Sequence, residues 1–171
     1  MIRNLPSHIV RLIVYILLQV LIFKQIAFFD VAFSFVYVLG LLLLPIELGH
    51  LTMIGVGFLT GLTVDLFYNT QGIQAAACVL IMFVRPYYFR QTTRGRYDPG
   101  MELNIREMGF NWFVVFNLPL IFIHHLVVFY AESGSTNLFF YTFSKAFFSS
   151  IFTFMVALIF QYLLTKPRRR I

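Results

Sequence analysis

Gly57-Phe58-Leu59-Thr60-Gly61-Leu62-Thr63-Val64-Asp65-Leu66-Phe67-Tyr68-Asn69-Thr70-Gln71-Gly72 carries two glycines four apart and a carboxylate four further on, all inside an apolar run. On a helix turning about 100° per residue, Gly57, Gly61 and Asp65 share an arc of roughly 80°. Glycines let a second helix approach closely. A carboxylate at the centre of a membrane helix costs about 2.5–3.5 kcal/mol on insertion scales and seldom faces lipid. Both features direct this face into a packed bundle. Asn69, Thr70 and Gly72 then read as the turn that ends the helix.

The surrounding composition fits a membrane setting. The 171 residues are 60% hydrophobic and 12% charged, with 22 Phe, whereas a soluble domain is about 45–50% apolar and about 25% charged. Cys78 is the only cysteine, so the chain forms no internal disulfide or thiolate zinc cluster. Flanked by Ala75, Ala76 and Ala77, it reads as a small packed side chain.

Six apolar stretches are candidates for membrane helices, residues 9–23, 33–46, 51–68, 73–89, 110–130 and 138–164. The expected fold is all-α: a single integral membrane domain over residues 1–171, built as a compact bundle of six transmembrane helices. The second stretch is short and bounded by Pro45, and the sixth contains Lys145. No small-residue cleavage site follows the first, which reads as a retained anchor.

Basic residues set orientation. With the N-terminus inside, eleven of the thirteen Lys and Arg fall on inside segments: Arg3 and Arg11, then Arg85, Arg90, Arg94, Arg96 and Arg106, then Lys166, Arg168, Arg169 and Arg170. Lys24 and Lys145 alone fall outside. Both termini are therefore expected in the cytoplasm, with 91–107 a cytoplasmic loop and 165–171 a basic cytoplasmic tail. Trp112, Tyr87 and Tyr88 fall at the inner interface. The basic charges follow span ends and lack any nucleic-acid-binding motif, so the expected contact is with anionic lipid, not nucleic acid. Glu102, Arg106 and Glu107 suit a short interfacial helix leading into the fifth span.

The residues carry no phosphate-binding loop, GxSxG or HExxH. His124 and His125 are adjacent and point about 100° apart on a helix, a poor metal pair. Glu47 and His50 suit a polar turn, and nothing makes Asp30, Asp65 and Glu132 converge. No catalytic residue, cofactor or metal is expected. Asp65 and Arg85 differ in depth by roughly 15 Å on a hairpin. Asp65 should bond the turn, Asn69 or another helix, and Arg85 should snorkel at the inner surface. Gly72, Ala75, Ala76 and Ala77 continue the small-residue theme, with Gly72 and Ala76 repeating the four-residue spacing. The third and fourth spans are thus expected to form a close hairpin.

Tyr37 to Leu44 followed by Pro45, then Gly57-Phe58-x-x-Gly61-x-x-x-Asp65-x-Phe67-x-Asn69-Thr70-x-Gly72, an alanine cluster and Arg85-Pro86, together resemble the MreD family of bacterial rod shape-determining membrane proteins. Length, apolarity, six spans and a basic tail agree with it over essentially the whole chain. The resemblance implies a scaffold of the bacterial inner-membrane machinery that inserts side-wall peptidoglycan. The implied partners are a single-span MreC-like protein, an actin-like MreB filament and a RodA–transpeptidase synthase. It implies no catalytic residues, and it makes Gly57, Gly61, Asp65, Asn69, Gly72, Ala76, Arg85 and Pro86 candidates for helix packing or a partner interface. The family fold looks like that of the substrate-binding S-components of energy-coupling-factor transporters, so a small-molecule-binding transporter subunit is the alternative. Against it, the first helix has bulky residues where such subunits carry Ala-x-x-x-Ala. A membrane enzyme or flippase is a third reading, with only Gln19, Asp65, Asn117 and His124 scattered through the spans.

Overall fold

The computed structural model describes residues 5–25, 27–28, 32–95, 97–98, 101–134 and 139–165. Arg3, Asp30, Arg96, Pro99, Gly100 and the basic tail at 166–171, to which the sequence reading assigns topology or turns, lie outside them. The chain is helical: α1 (Leu5–Leu21), α2 (Tyr37–Leu42), α3 (His50–Tyr68), α4 (Ile73–Thr93), α5 (Ile105–Met108), α6 (Phe110–Ser133) and α7 (Phe139–Leu164). A 3-10 turn at Phe23–Gln25 leads into a short antiparallel pair, β1 (Ala27–Phe28) with β2 (Ala32–Phe33), in which Ala27 faces Phe33. The expected all-α fold is therefore interrupted by one two-residue ladder.

Among the described residues three helices, α3, α6 and α7, are long and apolar enough to cross a membrane, and α1 is a shorter apolar helix. Helices α3, α4, α6 and α7 pack in sequence order, each against the next. Their outward faces carry large apolar side chains, densest on α7 from Phe139 through Leu164. Five polar residues of α6 and α7, Asn117, His124, His125, Ser149 and Thr153, are turned inward and fully buried. That is the polarity expected of a bundle whose solvent is lipid.

The α3–α4 hairpin owes its tightness to residue size. A Cβ on Gly61 would lie 2.4 Å from Ala75 Cα, and one on Gly57 would lie 2.8 Å from Met82 Cγ. Backbone therefore meets backbone at Gly61. The turn uses two left-handed residues, Asn69 (φ 56°), whose amide donates to the Asp65 carbonyl, and Gly72 (φ 84°), which precedes α4. Asparagine tolerates this region and glycine adopts it without steric cost.

The second apolar stretch differs from expectation. Residues 33–46 do not form a spanning helix. Extended chain runs through Ser34 and Phe35 into the six-residue α2, and the helix stops before Pro45. Every side chain from Phe35 to Leu44 is buried. An irregular backbone survives at membrane depth only inside protein, with its polar groups bonded, and here side chains from α1, α4 and α7 supply those bonds.

The two ends of the bundle are chemically distinct. At one end Lys24 Nζ donates to the Phe67 carbonyl (2.5 Å), and Lys145 Nζ lies 4.7 and 4.5 Å from the ring centres of Phe33 and Phe129. At the other, the segment before α6 folds onto α1. Arg11 pairs with Glu102 at 2.9 Å, and Asn104 Oδ1 accepts from the amides of Arg106 and Glu107 to cap α5. Glu107 in turn accepts from the Glu102 amide (2.8 Å), tying the residues before the cap to α5. The short helix anticipated around Glu102, Arg106 and Glu107 is thus present as α5.

Candidate functional site

Asp65 closes the hairpin with its own carboxylate. Oδ1 accepts from the Gln74 amide (3.0 Å) and from Thr70 Oγ1 (2.5 Å), and Oδ2 accepts from the Ala75 amide (2.9 Å). Gln74 and Ala75 are the second and third residues of α4, whose preceding residue, Gly72, has no side chain to cap with. An acid from α3 therefore takes the N-cap role for α4, where free amides and the helix dipole both favour negative charge. Among the sequence expectations for Asp65, the turn and the neighbouring helix are its partners, and Asn69 bonds it only through the backbone.

Arg85 requires a correction. It does not snorkel to a surface: it is the largest fully buried side chain among the described residues. Its Nη2 donates to the carbonyls of Leu42 (3.0 Å) and Leu44, and Nη1 lies 3.3 Å from Met53 Sδ. These carbonyls end α2. The guanidinium thus caps a helix C-terminus that points into the bundle, the counterpart of Asp65 at an N-terminus. Pro86 beside it sits inside α4, where it provides no amide for the Met82 carbonyl.

Ala76 does not take part in the α3–α4 packing. It is exposed, and Ala75 is the residue packed against Gly61. Gly72 lies before α4, so the four-residue spacing from Gly72 to Ala76 is not a helical stripe. Of the eight candidates, Gly57, Gly61, Asp65, Asn69 and Gly72 gather at the α3–α4 hairpin. Arg85 and Pro86 lie further along α4, and Ala76 faces away.

The segment 33–36 has its own set of partners, which sequence reasoning did not assemble. Gln19 from α1 accepts from the Val36 amide (2.7 Å) and donates to the Ser34 carbonyl (3.0 Å). From α7, Ser149 Oγ accepts from the Phe33 amide (3.0 Å) and Thr153 Oγ1 from the Phe35 amide (3.1 Å). His125 Nδ1 lies 2.8 Å from the Ile121 carbonyl, which can only accept, so the proton sits on Nδ1. Nε2 is then an acceptor for Thr153 Oγ1 at 3.0 Å. The available signal was a set of lone polar residues in apolar helices, each at the height of a stretch too short to span.

A second buried cluster joins α2, α4 and α6. Tyr37 Oη donates to Gln74 Oε1 (2.7 Å) and lies 2.8 Å from His124 Nε2. With its one hydrogen given to Gln74, the phenol accepts from Nε2–H, so the adjacent histidines hold opposite tautomers. Cys78 Sγ is 3.6 Å from the same phenol. This cluster links back to Asp65 through the Gln74 main chain. Among the described residues no group of three His, Cys, Asp or Glu is placed to hold a metal ion.

Chemically, the arrangement fastens backbone ends. Two charges and several neutral groups saturate the termini of short and broken helices that lipid could not satisfy. No family model, curated protein or solved structure matches the chain.

Proposed function

We propose that this protein is a non-catalytic membrane scaffold of the bacterial cell-wall elongation complex, of the MreD kind, which binds a single-span MreC-like partner. The observation that carries this reading is the use made of Asp65 and Arg85. They are the charged residues of the motif on which the resemblance rests, and both bond helix ends within the bundle. A motif that shapes a body, and presents no reactive group from these two positions, suits a docking protein. In this reading six passes are made by α1, the buried segment 33–44, α3, α4, α6 and α7 in the cytoplasmic membrane, with both termini inside. The partner helix packs on an exposed apolar face by van der Waals contact, as helices associate in lipid. The loop at 91–107 and the basic tail approach an MreB-like filament and the RodA–transpeptidase synthase.

Depletion in a rod-shaped host should round the cells, and the protein should co-purify with an MreC-like chain in mild detergent. Rods that stay normal, with no such partner recovered, would refute the scaffold. Stabilisation by a vitamin at micromolar concentration would favour a transporter subunit instead.

A further inference from the structure

The seam between α1 and α7 is bridged by rings, with Tyr15 of α1 and Phe23 of the 3-10 turn that follows it both edge-on to Phe160 of α7, at 5.8 and 6.3 Å between centres. At the Glu102 end a third element enters that seam. Leu103, Asn104 and Ile105 are buried there, 3–7% exposed, although they belong to a connector. The Ile105 amide donates to Gln161 Oε1 of α7 over a long 3.4 Å, and the Glu102 carboxylate holds Arg11 of α1. A cavity of about 20 Å³ remains beneath, lined in part by His8, Arg11, Tyr15, Glu102, Asn104 and Gln161. It is of a size to admit a single water, and Leu43, Leu103 and Leu164 line it beside the polar groups.

We propose that residues 101–108 form a releasable wedge that holds the α1–α7 seam shut and swings out about Gly109. Four features make release local. The outer tie is an ion pair with side chains 42% and 27% exposed, a kind of contact that is weak and salt-sensitive. The polar tie to α7 is one long hydrogen bond, and the small cavity leaves the packing of Leu103 incomplete beneath it. The wedge carries its own bonds, with Asn104 capping α5 and Glu107 holding the Glu102 amide, so α5 keeps them when it leaves the seam. The junction to α6 is Gly109 at φ 86°, ψ 156°, a conformation essentially reserved for glycine and therefore a natural pivot. Release uncovers Leu103, Ile105 and the seam itself.

Hydrogen exchange read by mass spectrometry on the full chain in nanodiscs tests this. Exchange across 101–108 should quicken about two- to fivefold in Glu102→Gln and in Arg11→Gln, with the α6 core unchanged. The swap of Arg11→Glu with Glu102→Arg should restore the slow rate. Gln161→Met, which removes the second tie, should quicken the same residues independently. Unchanged exchange in all the single variants would overturn the wedge. So would acceleration that spreads equally to α6, because the contact would then belong to global stability.

Discussion

Asp65 and Glu102 are both acids that hold two parts of the chain together, yet they do so at opposite ends of the bundle by different physics. Asp65, 3% exposed, faces no cation within bonding distance among the described residues; it meets two main-chain amides and a hydroxyl. Glu102 is partly exposed and meets a guanidinium. Removed from water, a charge needs donors held in place, and a helix end supplies them with no side-chain entropy to lose. At the rim, a mobile counter-ion suffices and water screens the result. The first contact decides whether the hairpin exists, and the second decides how tightly one segment is seated.

The largest effect should come from Gly61→Leu. Its new Cβ meets the Ala75 backbone, which cannot move aside as a side chain can. Overpacking costs about 1–3 kcal/mol even where neighbours adjust, so monodisperse protein should be lost on size-exclusion in detergent. Gly55→Leu, with open space around its Cβ, should elute normally. Asp65→Leu comes next, at about 1–3 kcal/mol for each amide it orphans. A large fall in thermal midpoint is expected, beside a change within about 0.5 kcal/mol for exposed Asp98→Leu. Equal midpoints for these two variants would break the comparison.

Gly109→Ala should cost about 1–3 kcal/mol from backbone strain alone, seen as a smaller drop in midpoint. The least change belongs to Glu102→Gln, about 0.2–1 kcal/mol and shrinking further in high salt. Glu102 also gives a pH signature. Burial pushes its carboxyl up, but the hydrogen bond and charge of Arg11, with help from Asn104 and His8, outweigh that and leave it below its ordinary 4.5. A lowered native pKa means the tie is complete above about 4.5 and fades as pH falls through the native value. Exchange of 101–108, corrected for its intrinsic pH dependence, should therefore rise in acid for the native protein and stay flat for Glu102→Gln.

Sequence spacing was enough to pair α3 with α4, because a glycine stripe and an acid at helical intervals have few uses in lipid. Which alanine met that stripe was not legible. The rotation of α4 is set by where its cap falls, and Gly72 precedes the helix instead of starting its face. The role of Arg85 was hidden for a different reason. Its partners are carbonyls freed only because α2 ends at Leu42, a fact of tertiary structure. Residues 33–46 misled because hydropathy does not separate a membrane helix from an extended chain buried on all sides. Pro45 and the isolated polar groups of α1 and α7 were the clues, and they acquire meaning only once the three segments are juxtaposed.

The bonds from Ser149 and Thr153 to Phe33 and Phe35 cross 116 and 118 positions of chain. During synthesis, the amides of Phe33 and Phe35 must therefore wait for α7. A ribosome that has delivered everything up to α6 has still not produced a bilayer-compatible molecule, and a product truncated before Ser149 should be recognised by quality-control proteases as unfinished.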